Sequence, residues 1–299
     1  MEKLSYKELL EAGVHFGHLK KKWNPKMLPY IFMERKGIHI IDLNKTLENL
    51  EEAAAGLKTI ARSGKRILFV ATKKQAKEIV SEAAARVGMP FVTERWLGGM
   101  LTNFSTIRKS IKKMQSIEKM LTDGTFENIT KKERLRLSRE KAKMEKVLGG
   151  IASLNRLPSA VVLVDIMHED IALAEAKKLN IQTFGMVDTN SDPTDVDFAI
   201  PANDDATKSI AIIINYLTNA IVEGLEERKK DKEEIDAARE DEDAATANER
   251  KGFEVVEDDD RKDRGAGAGA PKRSSKDIPR KRPRTTSGGP GGGSGRPKR

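Results

Sequence analysis

The chain has no cysteine. Disulfides, thiolate metal sites and cysteine nucleophiles are therefore excluded, and the composition suits a reducing compartment. Aromatic residues make up only 5% of the sequence, and there are only four histidines, so acid–base catalysis would have few imidazoles to draw on. Long apolar runs are also lacking. The most apolar stretch, Ile210 to Val222, is broken by Asn215 and Asn219 and is too short and polar to span a bilayer. Met1 to Lys7 is polar and is not followed by the apolar core of a secretory signal. A soluble, cytosolic protein with no membrane partner is expected.

Charge, in contrast, is abundant and unevenly placed. The chain carries a net +9, split into about +7 over residues 1–225, about −9 over 226–260 and about +11 over 261–299. One stretch, 104–146, alone holds 13 positive and 6 negative side chains, so the remainder of the first 225 residues is close to neutral. A localised positive charge is what a face for a polyanion requires, with nucleic acid the leading candidate.

The pattern along the chain sets the architecture. Ser5-Tyr6-Lys7-Glu8 is a capping box with Gly13 at the helix exit, and Tyr30 to Met33 with Ile38 to Ile41 reads as a hairpin turning at Gly37. Helical spacing of Leu47, Leu50, Ala54, Leu57 and Ala61 predicts a helix over 44–61. Buried-strand runs follow at Ile67–Ala71 and Ala160–Val164, with shorter ones at Phe91–Thr93, Thr183–Val187 and Phe198–Ile200. Helices are expected over 74–87 and 169–179, and another, capped by Asp204 or Asp205, through Glu223. Strands alternating with helices predict an α/β fold, a doubly wound parallel sheet. The expected organisation is an α/β body over 1–227, an insertion over 102–151, an acidic helix extension or linker over 228–260, and a disordered basic Gly/Pro/Arg-rich tail over 261–299.

The insertion reads as an antiparallel α-helical hairpin. Phe104, Ile107, Ile111, Met114, Ile117 and Leu121 form one apolar stripe, and Leu137, Met144, Leu148 and Ile151 the other, with a turn at Asp123-Gly124 and a cap at Thr130. Glycine pairs bound it, and Gly98, Gly99, Gly149 and Gly150 are expected to set its exit angle as hinges. A solvated charged face explains lysines and arginines on any long helix, but the excess of positive charge favours contact with a polyanion. Candidate RNA contacts are Lys20, Lys21, Lys22, Trp23, Lys26, Arg95, Arg108, Lys109, Lys112, Lys113, Arg134, Arg136 and Arg139, cations for phosphate and one indole for stacking.

Enzyme chemistry is hard to find. After the first buried strand the chain reads Ala71-Thr72-Lys73-Lys74-Gln75-Ala76, with no glycine to admit a pyrophosphate, and Gly64-Lys65-Arg66 precedes its strand and lacks the Ser/Thr of a phosphate loop. His15 and His18 could share a turn, and a pair bonded to backbone is favoured there over a metal site. The acidic loop Asp188–Asp197 starts like a calcium loop but has Pro193 for the turn glycine and Ala199 for the bidentate glutamate. A divalent ion at Asp188 with Asp204 or Asp205 is one reading of these residues. Turn-forming and helix-capping carboxylates are the other, and the favoured one.

Several long motifs occur in one order: Gly13-Val14-His15-Phe16-Gly17-His18, Trp23-Asn24-Pro25-Lys26-Met27, Gly37-Ile38-His39-Ile40-Ile41-Asp42-Leu43, Arg95-Trp96-Leu97-Gly98-Gly99-Met100-Leu101-Thr102-Asn103-Phe104, Leu148-Gly149-Gly150, and Val187-Asp188-Thr189-Asn190-Ser191-Asp192-Pro193. From about Leu4 to Glu227 the chain resembles the bacterial small-ribosomal-subunit protein S-two family. The resemblance implies a flavodoxin-like domain with the hairpin as a coiled coil, seated on small-subunit rRNA near the head–body junction among neighbouring small-subunit proteins. It further implies a late-joining structural component that in many bacteria helps to dock the mRNA-binding ribosomal protein S-one. It implies no enzyme activity, no cofactor and no small-molecule substrate. The segment after Glu227 departs from the pattern, since many relatives stop near there. The rival readings are a nucleotide-binding enzyme with the hairpin as a lid, and a free RNA-binding accessory factor.

Overall fold

The computed structural model describes residues 4–122 and 130–259. The predicted turn at Asp123-Gly124 and the tail over 261–299 lie outside them. Two units divide at Arg239: the first, Met1–Arg239, holds everything discussed below, and of the second, Glu240–Arg299, the described residues 240–259 are helical.

The first helix, α1 (Tyr6–Glu11), starts as its sequence dictates, with Ser5 N–H donating to Glu8 Oε2 at 2.8 Å and Glu8 N–H to Ser5 Oγ at 3.3 Å. Then β1 (Phe16–Leu19), β2 (Ile31–Arg35) and β3 (Ile38–Ile41) form an antiparallel sheet of order β1-β3-β2. The hairpin is legible in the sequence, but β1 is not: the spacing of His15 and His18 suggests a shared turn, and His18 lies on a strand instead.

The remaining elements are α2 (Leu43–Arg62), β4 (Ile67–Val70), α3 (Lys77–Val87), β5 (Phe91–Val92), α4 (Phe104–Thr122), α5 (Lys131–Leu148), β6 (Ala160–Val164), α6 (Asp170–Lys178), β7 (Gln182–Val187), β8 (Phe198–Pro201) and α7 (Thr207–Asp259). The second sheet has the order β5-β4-β6-β7-β8 with every neighbouring pair parallel. That order starts in the middle, winds outward and reverses between β4 and β6, the arrangement of flavodoxin-like sheets.

Side chains alternate across the sheet with period two and so supply two cores. Ile67, Phe69, Val162 and Phe184 face α2, α3 and α7, meeting Leu50, Leu57, Val80, Ile213 and Leu217. Leu68, Val70, Val161 and Leu163 face the other way, onto Leu173 and Ala176 of α6 and onto Met100, Leu101, Ile107, Leu148 and Ile151. The base of the α4–α5 pair is therefore part of the core on the second face of the sheet. Among the described residues, no helix is long and apolar enough to cross a membrane.

Candidate nucleic-acid interface

Helices α4 and α5 divide their surfaces by chemistry. Ile107, Ile111, Met114 and Ile117 of α4 are buried, while Leu137 and Met144 of α5 are half-buried and Leu135 is exposed. Ion pairs join the two helices, Lys113 with Glu140 and Lys141 with Glu118, the latter at 2.9 Å. Thr130 caps α5 by accepting from Glu133 N–H. At the base, Glu94 lies 3.4 Å from both Lys77 of α3 and Lys146 of α5 and so ties the helix to the body.

The inner root hangs on Glu175. This buried carboxylate accepts from Trp96 Nε1 at 3.2 Å, from the backbone N–H of Gly99, Leu101 and Thr102 at 2.6, 2.9 and 3.0 Å, and from Thr102 Oγ1 at 3.1 Å. Burial disfavours the charge, but the backbone donors of Thr102, Leu101 and Gly99 and the Trp96 indole outweigh it and hold the carboxyl below its usual range. Glu175 was not singled out in the sequence, although its spacing with Ala172 and Ala176 puts it on the buried face of α6.

The four root glycines differ. Gly99 has φ +85°, and a β-carbon on Gly150 would stand 2.1 Å from the Phe91 carbonyl oxygen, so Gly150 is what lets the end of α5 approach β5. A β-carbon on Gly98 would meet open space, and one on Gly149 only Glu145 Cγ at 3.8 Å.

The predicted RNA contacts fall into two groups. Arg108, Lys109, Lys112, Arg136 and Arg139 carry no ion pair among the described residues and are exposed on α4 and α5, and Arg95 is exposed on the loop after β5. Lys113 is engaged with Glu140, and Arg134 also has a partner. In the N-terminal segment, Lys20 pairs with Glu34 at 2.7 Å and Lys26 with Asp192 at 2.5 Å, whereas Lys21 and Lys22 are exposed. The Lys26 contact, with help from Thr194, holds the Asp192 carboxyl down at about 2. Trp23 is half-buried and meets the His39 ring at a centroid distance of 5.1 Å with the planes tilted by 43°, so its indole already has one ring contact.

A second constellation sits at the carboxyl edge of the parallel sheet, where open α/β sheets bind ligands. Lys73, Asp165 and Asp188 follow β4, β6 and β7, and Asp204 and Asp205 follow β8. Lys73 Nζ lies 3.1 Å from Asp165, 2.8 Å from Asp204 and 2.6 Å from Asp205. Desolvation opposes its charge, but the bonds to Asp204 and Asp205 prevail and hold it above the usual lysine range. One ammonium thus faces three carboxylates. Burial, with the charges of Asp165 and Asp188, pushes Asp204 up to about 7 against the pull of Lys73.

His18 completes the group, its Nδ1 2.9 Å from Asp188 Oδ2 and its Nε2 3.4 Å from Asp205 Oδ2. Contact with Asp188 raises the His18 pKa even though burial lowers it. Despite that 2.9 Å approach, His18 Nδ1, Asp188 Oδ2 and Asp204 Oδ2 are buried without a hydrogen bond among the described residues. The caps expected for α7, Asp204 and Asp205, are engaged with Lys73 instead, and in the turn before the helix Asn203 Oδ1 accepts from the N–H of Asp205 and Ala206. His15 takes no part in it. Lys73 and Asp165 were missed, and the available signal was a charged residue just past a buried strand.

A family model described as ribosomal protein S2 matches residues 9–224. The small ribosomal subunit protein uS2 of Cytophaga hutchinsonii is 62% identical over 249 residues, covering 83% of this chain and 98% of the relative. That of Bacteroides fragilis is 61% identical over 240 residues, 80% of this chain and 86% of the relative, and that of Parabacteroides distasonis is 58% identical over 267 residues, 87% and 95%. Each match covers more than 227 residues of this chain, so in these relatives the likeness continues past Glu227. With most of its length matched at this identity, the chain belongs to the ribosomal protein S2 family, whose members are structural proteins and not enzymes.

Proposed function

We propose that this chain is a structural constituent of the small ribosomal subunit in the cytoplasm, and that its α4–α5 hairpin, packed as a coiled coil, grips small-subunit rRNA through phosphate contacts. The observation that carries this is a set of exposed cations, Arg108, Lys109, Lys112, Arg136 and Arg139, with no ion pair among the described residues, on two helices whose basal apolar residues Ile107, Ile111 and Leu148 are already used in the core. Lysine and arginine on a rigid prong suit A-form RNA, whose deep major groove side chains cannot read. Each phosphate contact releases counterions, so affinity for the rRNA should fall as a power of salt concentration, steeply between about 50 and 200 mM. Filter binding at several salt concentrations measures this, and a flat response removes the mechanism. The family resemblance extends the proposal to a seat near the head–body junction and to docking of the mRNA-binding protein S-one.

A structural divalent ion at His18, Asp188 and Asp204 is the second part of the reading. The ligand atoms of these residues lie within 4.8 Å of one another. One imidazole nitrogen with carboxylate oxygens is a donor set suited to zinc, and the buried atoms without hydrogen bonds are the observation in its favour. An ion there would neutralise the carboxylates that Lys73 leaves uncompensated. Zinc should raise the melting temperature, more at pH 8 than at pH 6, because it must displace protons from its ligands. Asp204→Asn should abolish that rise, and equal shifts in both proteins would remove the site.

A further inference from the structure

Three carboxylates and three cations of α7 face different neighbours. Glu223, Glu227 and Asp231, four residues apart, turn to α2, where Lys58 lies 3.3 Å from Glu223 and 2.7 Å from Glu227, and Arg62 Nε lies 2.9 Å from Asp231. On the side facing α3 the helix presents Arg228, Lys229 and Lys232 across a groove from Arg86, with Glu226 the one carboxylate lining it among the described residues. The groove has a volume of about 540 Å³ and an apolar floor of Val87, Val222 and Leu225. Arg86 is oriented by Asn219, whose Oδ1 accepts from its guanidinium at 3.1 Å, and not by a carboxylate.

Arg228 is placed by the fold itself. Its guanidinium lies against Gly64, where a β-carbon would stand 2.4 Å from Cζ, and Gly64 has φ +74°. This arginine is seated on backbone with its charge left uncompensated among the described residues. The groove is also remote in sequence and element from α4 and α5.

We infer that the α3–α7 groove is a second phosphate-binding surface, which holds a backbone segment of the same small-subunit rRNA. This rests on the rRNA reading above. Four cations against one carboxylate would repel one another, and a phosphate chain relieves that repulsion. Guanidinium groups held by backbone and amide contacts keep their remaining donors for phosphate oxygens. An acidic protein segment would need the same charge, but fixed arginines along an open groove match a repeating anion better.

The test compares three full-length proteins in filter binding to the complete rRNA across a salt series: the natural chain, Lys229→Glu with Lys232→Glu, and Arg108→Glu with Lys109→Glu on α4. The substituted side chains are exposed, and circular dichroism with thermal melting confirms that each protein folds. The groove variant should bind at least about tenfold more weakly, with the log–log salt slope reduced by about 1.5 for two lost contacts. The milder Lys229→Gln with Lys232→Gln should fall in between. Unchanged affinity and slope for the groove variant, beside a weakened α4 variant, would overturn the groove and leave the rRNA reading standing. Unchanged binding by both would remove that reading as well. If the groove variant bound rRNA normally but entered reconstituted subunits poorly, the surface would serve an acidic protein neighbour and the inference would be wrong.

Discussion

Glu175 stands where helical spacing calls for an apolar residue, and the loop that launches α4 is built around its two oxygens. Removing a buried acceptor strands its donors, so Glu175→Ala should cost about 3 kcal/mol of stability and Glu175→Gln roughly half of that, by denaturant titration. The sign with pH follows from the depressed carboxyl. Its contribution is complete above the unfolded value near 4.5 and is lost as pH falls through the lower folded value. Acid titration of the natural protein should therefore be steeper below pH 4.5 than that of Glu175→Gln. At this scale the sequence is least legible. Spacing puts Glu175 on the buried face of α6, but only the fold shows which N–H groups converge on it. The same holds for Lys73 and Asp165, which are 92 residues apart and meet because β4 and β6 are neighbours.

Among elements, the strongly periodic ones were readable and the short irregular ones were not. Helix α2 declares its helical period, strands β4 and β6 are continuous apolar runs of strand length, and all three form close to where expected. Strand β1 was missed because four residues containing Gly17 and His18 show no alternation, and its pairing with β3 decides its state. Helix α3 begins at Lys77, later than the expected Lys74, because residues 73–76 are spent on the turn that delivers Lys73 to the sheet edge. The glycine pairs, similar as letters, separate by what surrounds them. Gly150→Ala must push the Phe91 carbonyl or the end of α5 and should destabilise by about 1–3 kcal/mol. Gly149→Ala, at a helical φ of −56° with space around it, should be neutral or slightly stabilising. Thermal melts of the two variants check this pair, and equal losses would show that the close approach at Gly150 is not the constraint.

For the whole molecule, charge and packing are arranged in separate zones: a parallel sheet with two cores, cations on exposed helix faces, and a carboxylate group around Lys73. A chain ending at Arg239 keeps every contact of the first unit and should melt within about 2 °C of the full chain. A larger drop by calorimetry would mean that residues 240–299 stabilise the body. The order of the large sheet also bears on how the protein is made. Ile67 pairs with Ala160, and the whole of α4 and α5 is threaded between those partners. During synthesis β4 emerges with only the two-residue β5 to adopt it, and the centre of the sheet stays open until nearly a hundred further residues have been added. Helices with local contacts form fast and distant ladders slowly, so α4 and α5 can be in place while the sheet still waits for its middle rung. The nascent protein would then spend that interval with a finished pair of basic helices on an unfinished body, its cations exposed before its own interior has closed.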